Sequence, residues 1–208
     1  MKNMKSLYVF IVFVIFLAAS SASLYAGEPT NQVKGSVDKV IDVLKDKELK
    51  NPSKAEQRRA AIRKTVGERF DFEEMSKRTL AVHWQERTAE ERKEFISLFS
   101  DLLERSYINK IERYTDEKII YGDESVEGDY GTVKTKIVTK RNEEIPIEYK
   151  LIKKGTQWEV YDVVIEGVSL VNNYRNQFNM IIRTKSYQEL VNRLKNKQEQ
   201  ALFEDKAK

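Results

Sequence analysis

The 208-residue sequence contains no cysteine and only one histidine, His83. The first absence excludes disulfides, a lipid-modified N-terminal cysteine, and thiolate chemistry of either the nucleophilic or the metal-binding kind. The second leaves no histidine pair for a zinc site and no spare imidazole for a serine- or cysteine-based triad. A charge excess of one sign is also missing: 37 Lys and Arg stand against 33 Asp and Glu, interspersed along most of the chain. Proteins that track nucleic-acid phosphates gather positive charge on one face, so this mildly basic balance does not point to nucleic acid. Nor does any apolar run reach the roughly 20 residues that a membrane-crossing helix needs. The clearest candidate, residues 7–19, is about thirteen residues long.

That run has the flanks of a secretory signal peptide: Lys2 and Lys5 precede it, small residues follow, and Ala26 offers a cleavage point. Export by a cleaved signal peptide, residues 1–26, is the expectation, with an uncleaved anchor as the competing reading. Cleavage removes Lys2 and Lys5 and no acid, so the exported chain carries a net charge of about +2. Residues 27–194 have the size of one domain with a substantial core. Residues 195–208 mix both signs of charge and read as a flexible tail.

The first half of the exported chain is helical by period. Val33, Val37, Val40, Ile41 and Leu44 recur at helical spacing until Asn51-Pro52 interrupts them. Ser53 with Glu56, Asp71 with Glu74, and Thr88 with Glu91 each match a capping box, and Phe70 with Met75 matches the accompanying hydrophobic staple. The third helix is expected to run to about Val82. From Lys118 the period becomes two: Val133, Thr135, Ile137 and Thr139 alternate with Lys134, Lys136, Val138 and Lys140. Turn chemistry at Gly122-Asp123, Gly128-Asp129, Arg141-Asn142 and Lys154-Gly155 divides residues 118–165 into four strands joined by short hairpins. Helical period returns after Gly167 with Leu170, Tyr174, Phe178, Ile181 and Ile182, and Ser186 with Glu189 caps a last helix. The order helices, strands, helices predicts an α+β fold in which helices pack on a curved four-stranded antiparallel sheet and enclose a cone-shaped space.

Residues 158–178, WEVYDVVIEGVSLVNNYRNQF, pass from an apolar strand through Gly167 into an amphipathic helix. Through Trp158, Val160, Tyr161, Asp162, Val163, Glu166, Gly167, Ser169, Leu170, Tyr174, Arg175 and Phe178 this stretch resembles the MlaC-type periplasmic phospholipid-binding proteins, the toluene-tolerance auxiliary family. The likeness extends to FDFEEMSKRTLAVHW and to the helix with Phe95, Phe99 and Tyr107, and weakens before about residue 52 and after about residue 194. It implies a nuclear-transport-factor-two-like cone with a lipid cavity and no enzymatic activity, cofactor or metal. It further implies a phospholipid ligand, an inner-membrane ABC transporter complex and an outer-membrane lipoprotein complex as partners, and a role in outer-membrane lipid asymmetry.

Both layers offer apolar side chains for such a cavity. The helices supply Phe95, Phe99, Leu102, Leu170, Tyr174 and Phe178; the strands supply Ile119, Val133, Ile137, Ile147, Tyr149, Leu151, Val160 and Val164. Any domain of this size needs a core, and periodicity alone does not separate a filled core from a hollow one. Lys or Arg is expected at the mouth, where charge can meet phosphate without deep burial. Strand parity puts Asp162 on the face of Trp158, Val160 and Val164, and a desolvated carboxylate needs a partner; Arg175 is the one expected, as a structural ion pair. Three rival readings stand beside the carrier: a carrier of another apolar lipid such as a hopanoid, an exported pocket enzyme using Asp162 and His83 to move protons, and an adaptor with a filled core.

Overall fold

The computed structural model describes residues 27–197. The expected signal peptide, and the tail beyond Lys197, lie outside the described residues. Helix α1 (Glu28–Lys45) opens with Pro29 in its first turn, where a missing N–H is harmless. The chain then departs from the expected cap at Ser53. Asn51 accepts the Ser53 N–H at 3.0 Å and the Ser53 hydroxyl at 2.9 Å, opening a 3-10 turn at Pro52–Lys54. Helix α2 (Ala55–Gly67) continues from that turn with no side-chain cap of its own.

The other two caps expected in this half form. Asp71 accepts the Glu74 N–H at 3.0 Å and starts α3 (Phe72–Leu80), while Thr88 and Glu91 exchange bonds in a reciprocal capping box that starts α4 (Ala89–Glu112). Helix α3 stops short of Val82 because Ala81 takes a positive φ of 50°, which breaks the helix into a 3-10 turn at Ala81–Trp84.

The sheet is an antiparallel meander of β1 (Lys118–Glu127), β2 (Tyr130–Val138), β3 (Glu144–Lys154) and β4 (Gln157–Ile165), followed by the very short β5 (Val168–Ser169). Five strands replace the expected four because Glu166 (φ 49°) and Gly167 (φ 81°) are both left-handed. Such a pair builds a two-residue hairpin turn, which pairs Ile165 with Val168. Gly122 and Asp123, expected to turn, instead form a bulge inside β1: Tyr121 pairs with Thr135, and Glu124 with Val133. Bulges bend a strand and raise its twist.

A second bulge changes the reading of β4. Leu151 pairs with Val160 but Lys150 pairs with Asp162, so Tyr161 is an extra residue and the parity of the strand reverses beyond it. Val163, opposite Tyr149, therefore joins the core, whereas Val164 lies opposite Glu148 on the outer face. The expectation that Val164 lines the interior is corrected accordingly.

Helix α5 (Leu170–Thr184) and α6 (Tyr187–Lys195) complete the described chain. Helices α3 to α6 form one apolar cluster. The inner sheet face packs with Val33 of α1 and Leu170 of α5 in a second cluster, and Leu44, Ile62 and Ile108 join α1, α2 and α4 in a third. Residues 69–71 add a short pairing at the β4 edge: Asp71 N–H bonds Val160 O at 2.9 Å, and Val160 N–H bonds Arg69 O at 2.8 Å. The start of α1 is tied to the sheet, since Glu124 accepts from Thr30 N at 2.8 Å and Oγ1 at 2.6 Å, and Gln32 accepts from Trp158 N at 2.9 Å.

Candidate apolar binding site

The structure divides the fourteen expected lining residues. Phe95, Phe99, Leu102 and Phe178 are 0 % exposed. Phe178 meets Phe95 at 5.8 Å and Phe99 at 5.7 Å edge to face, and Tyr174 meets Phe99 at 5.4 Å in the same way. These are the spacings of rings in mutual contact, so this part of the set closes upon itself as a helical core. Val133, Leu151, Val160 and Leu170 are buried in the sheet cluster. The strand residues Ile119, Ile137, Ile147 and Tyr149 are only partly covered.

Those four share the inner sheet face with residues that the sequence reading did not select. Ile119 pairs with Ile137 and Ile137 with Ile145, making a row of three half-covered isoleucines across β1, β2 and β3. The next row inward is Tyr121, Thr135 and Ile147. Val37 of α1 and Tyr107 of α4 pack on the same cluster, and neither is fully buried. Tyr121 and Ile145 were open to inference: each continues the period-two series of its strand by one step, Tyr121 from Ile119 and Ile145 toward Ile147. Two recesses lie at the surface elsewhere, one beside α4 at Glu90, Lys93, Glu94, Ser97 and Leu98, and one of about 480 Å³ on the outer sheet face around Tyr130, Thr132, Lys150 and Tyr161. Neither opens on the inner face, whose apolar side chains are half covered by α1 and α4.

The phenols around this face are neutral. Burial pushes Tyr149 and Tyr107 up to about 12. Burial, reinforced by Tyr149, Asp38 and Tyr114, raises Tyr121 still further above the usual phenol range. Basic side chains gather near the start of β1 and the end of β2. Lys45 pairs with Asp116 at 2.8 Å. Hydrogen bonding to Lys45 holds the Asp116 carboxyl below its ordinary value, and the charges of Lys140 and Lys50 add to the effect. Lys140 follows the end of β2 and Lys118 begins β1, so both flank the Ile119 and Ile137 pair.

The structure does not form the expected Asp162–Arg175 ion pair. The reversed parity of β4 aims Asp162 at the start of α5, where Oδ2 accepts from the Ser169 hydroxyl at 2.5 Å and Oδ1 from the Val171 N–H at 3.0 Å. Ser169 in turn caps α5 by accepting from Asn172 N–H at 3.0 Å. Two of the unpaired donors of a helix start are thereby satisfied, and a carboxylate there meets the favourable end of the helix dipole. Arg175 serves the opposite need, its Nε donating at 2.8 Å to the Arg78 carbonyl in the last turn of α3.

His83 is held by Asn179 of α5 through its Nε2, at 3.0 Å. Asp162 meets α5 at Val171, eight residues earlier, or about 12 Å along the axis at 1.5 Å per residue. The structure does not bring the histidine and the aspartate together as a proton-transfer pair.

A strand meander wrapped by helices, with an inner apolar face that is only partly covered, defines an α+β fold of helices on a curved antiparallel sheet. The comparisons with known proteins place it. The model of the MlaC protein family matches residues 34–196, and the chain belongs to that family. It is 21% identical over 208 residues to the intermembrane phospholipid transport system binding protein MlaC of Haemophilus influenzae, covering 97% of each chain. It is 22% identical over 169 residues to the toluene tolerance protein ttg2D of Pseudomonas putida, covering 80% of this chain and 79% of the relative. Among solved structures it matches a phospholipid-binding protein of Ralstonia solanacearum in complex with a phospholipid, with a TM-score of 0.72 and 24% identity over 82% of this chain and 96% of the other.

Proposed function

We propose that this protein is a periplasmic, non-enzymatic carrier of glycerophospholipid. It holds the acyl chains against the inner sheet face, between β1 to β3 and helices α1 and α4, and leaves the headgroup near Lys45, Lys118 and Lys140. The observation that carries this reading is the half-covered apolar face of Ile119, Ile137, Ile145, Ile147 and Tyr149, in a fold whose Ralstonia solanacearum counterpart was solved with a phospholipid.

Energetics favour full enclosure over partial shielding. Each buried methylene is worth about 0.8 kcal/mol, so a chain of ~16 carbons left in water costs on the order of 10 kcal/mol. The polar requirement is slight, because an apolar pocket fixes a ligand with few polar groups. Headgroup selectivity is then weak. The partners that fit a carrier of this family are an inner-membrane ABC transporter complex and an outer-membrane lipoprotein complex, with exchange between them serving outer-membrane lipid asymmetry. The signal-peptide pattern in the sequence of residues 1–26 supports export.

The test is to purify the mature protein mildly, extract it with organic solvent, and identify what comes out by mass spectrometry. Near-stoichiometric glycerophospholipid is expected. A hopanoid or other polycyclic lipid in its place transfers the protein to a different ligand class, and recovery with no lipid at all overturns the carrier reading.

A further inference from the structure

The hydroxyl of Tyr121 is buried and has no hydrogen-bond partner. Native proteins seldom leave such a group unpaired, because a buried donor without an acceptor costs the full penalty of losing water. The polar groups around it are engaged elsewhere. The Tyr114 hydroxyl donates to the Glu117 carbonyl at 3.0 Å, and the Thr135 hydroxyl to the Ile147 carbonyl at 3.3 Å. Asp38 is paired with Lys34, whose ammonium stands 6.0 Å from the Tyr121 ring.

Position and charge narrow what such a donor suits. Tyr121 pairs with Thr135, one row inward from Ile119 and Ile137 on the half-covered apolar face. Its phenol stays protonated, because burial raises its pKa. A neutral donor among apolar groups matches a neutral acceptor better than a phosphate, which resists desolvation and needs a cation close by. In a glycerophospholipid the neutral acceptors are the acyl-ester carbonyls, and they lie where the hydrocarbon chains meet the polar part. That junction corresponds to a hydroxyl set one row inside a basic rim.

We infer that the Tyr121 hydroxyl anchors an acyl-ester carbonyl of the bound lipid, so that the site prefers ester-linked to ether-linked chains; this rests on the carrier reading above. The experiment compares delipidated mature protein with its Tyr121→Phe variant. The probes are dioleoyl phosphatidylglycerol and its dioleyl ether analogue, each titrated by displacement of a fluorescent lipid. The wild type is expected to bind the ester about 3- to 10-fold more tightly, the range of one net hydrogen bond. The variant is expected to bind both at the ether level, with the ether affinity unchanged. Melting of the delipidated variant should be equal or higher, since an unpaired buried group has been removed. Equal wild-type affinity for the two linkages overturns the assignment, and needs no variant to show it. Equal weakening of both lipids in Tyr121→Phe overturns it too, by marking the tyrosine as mere packing. Failure of the wild type to bind either probe is a different result, which removes the carrier reading itself.

Discussion

The helical half and the inner sheet face are built from similar residues but differ in closure. In α4 and α5, Phe95, Phe99 and Phe178 cover one another completely. On β1 to β3, Ile119, Ile137 and Ile145 stand in register and are only partly covered. A core that saturates its own contacts supplies stability, whereas apolar surface left short of partners is surface offered to something else. The helices hold the frame, and under the proposed function the sheet offers the space.

The sharpest way to break this contrast is to truncate one residue from each side. Phe99→Ala should cost about 3–5 kcal/mol of stability, the usual range for a buried phenylalanine, as read by denaturant unfolding. If it costs under about 1 kcal/mol, the helical core is not the frame. Ile137→Asp should leave stability nearly unchanged while lowering co-purified lipid at least about tenfold, because a charge in the acyl path is expensive to desolvate. Equal losses of folding and lipid would turn the sheet face into an ordinary core.

Smaller effects sharpen the boundary between the two regions. Asp162→Ala removes two hydrogen bonds at the start of α5 and should cost about 1–3 kcal/mol, with lipid content per folded protein unchanged. A loss of lipid without a loss of stability would restore a direct role for this carboxylate. The smallest expected effect is at Glu112. Burial opposes its ionisation, but hydrogen bonds and charge from Arg59 and Arg58 outweigh that and hold its carboxyl below the ordinary 4.5. The bridges measure 2.7 Å to Arg58 and 2.9 Å to Arg59. A depressed carboxylate contributes stability that is present above its unfolded value and lost as pH falls through the lower folded one. Glu112→Gln should therefore cost about 1 kcal/mol at neutral pH and flatten the acid limb of the stability profile below about pH 4.5. An unchanged acid limb would show that the α2–α4 link is energetically idle.

Much of this architecture was legible in the sequence because it is local. Caps at Asp71, Thr88 and Ser186 sit where short polar side chains precede apolar periods, and the strand alternation holds over residues 133–138, with Thr139 beyond the end of β2. What escaped was set by neighbours. Ser53 lost the cap position to Asn51, two residues earlier, which accepts from the Ser53 N–H and opens a 3-10 turn ahead of α2. Nothing in the spelling of Tyr161 marks it as extra, since a bulge is defined by the partner strand, so Val164 and Asp162 were assigned to the wrong side. The candidate site was half legible: apolar alternation finds Ile119, Ile137, Ile147 and Tyr149, but only packing reveals that the phenylalanines expected beside them are occupied with one another.

The supernumerary residue at Tyr161 acts like a half-turn of a screw in the middle of β4. Deleting it would let Asp162 follow Val160 in plain alternation, so the residues from Asp162 to Ile165 would keep their β3 partners and their faces, and the strand would lose only its local kink. A single-residue deletion there should harm the protein less than removal of a residue from the adjoining hairpin turn, because Lys154 pairs with Gln157 across only two residues and that length sets the register of the whole hairpin.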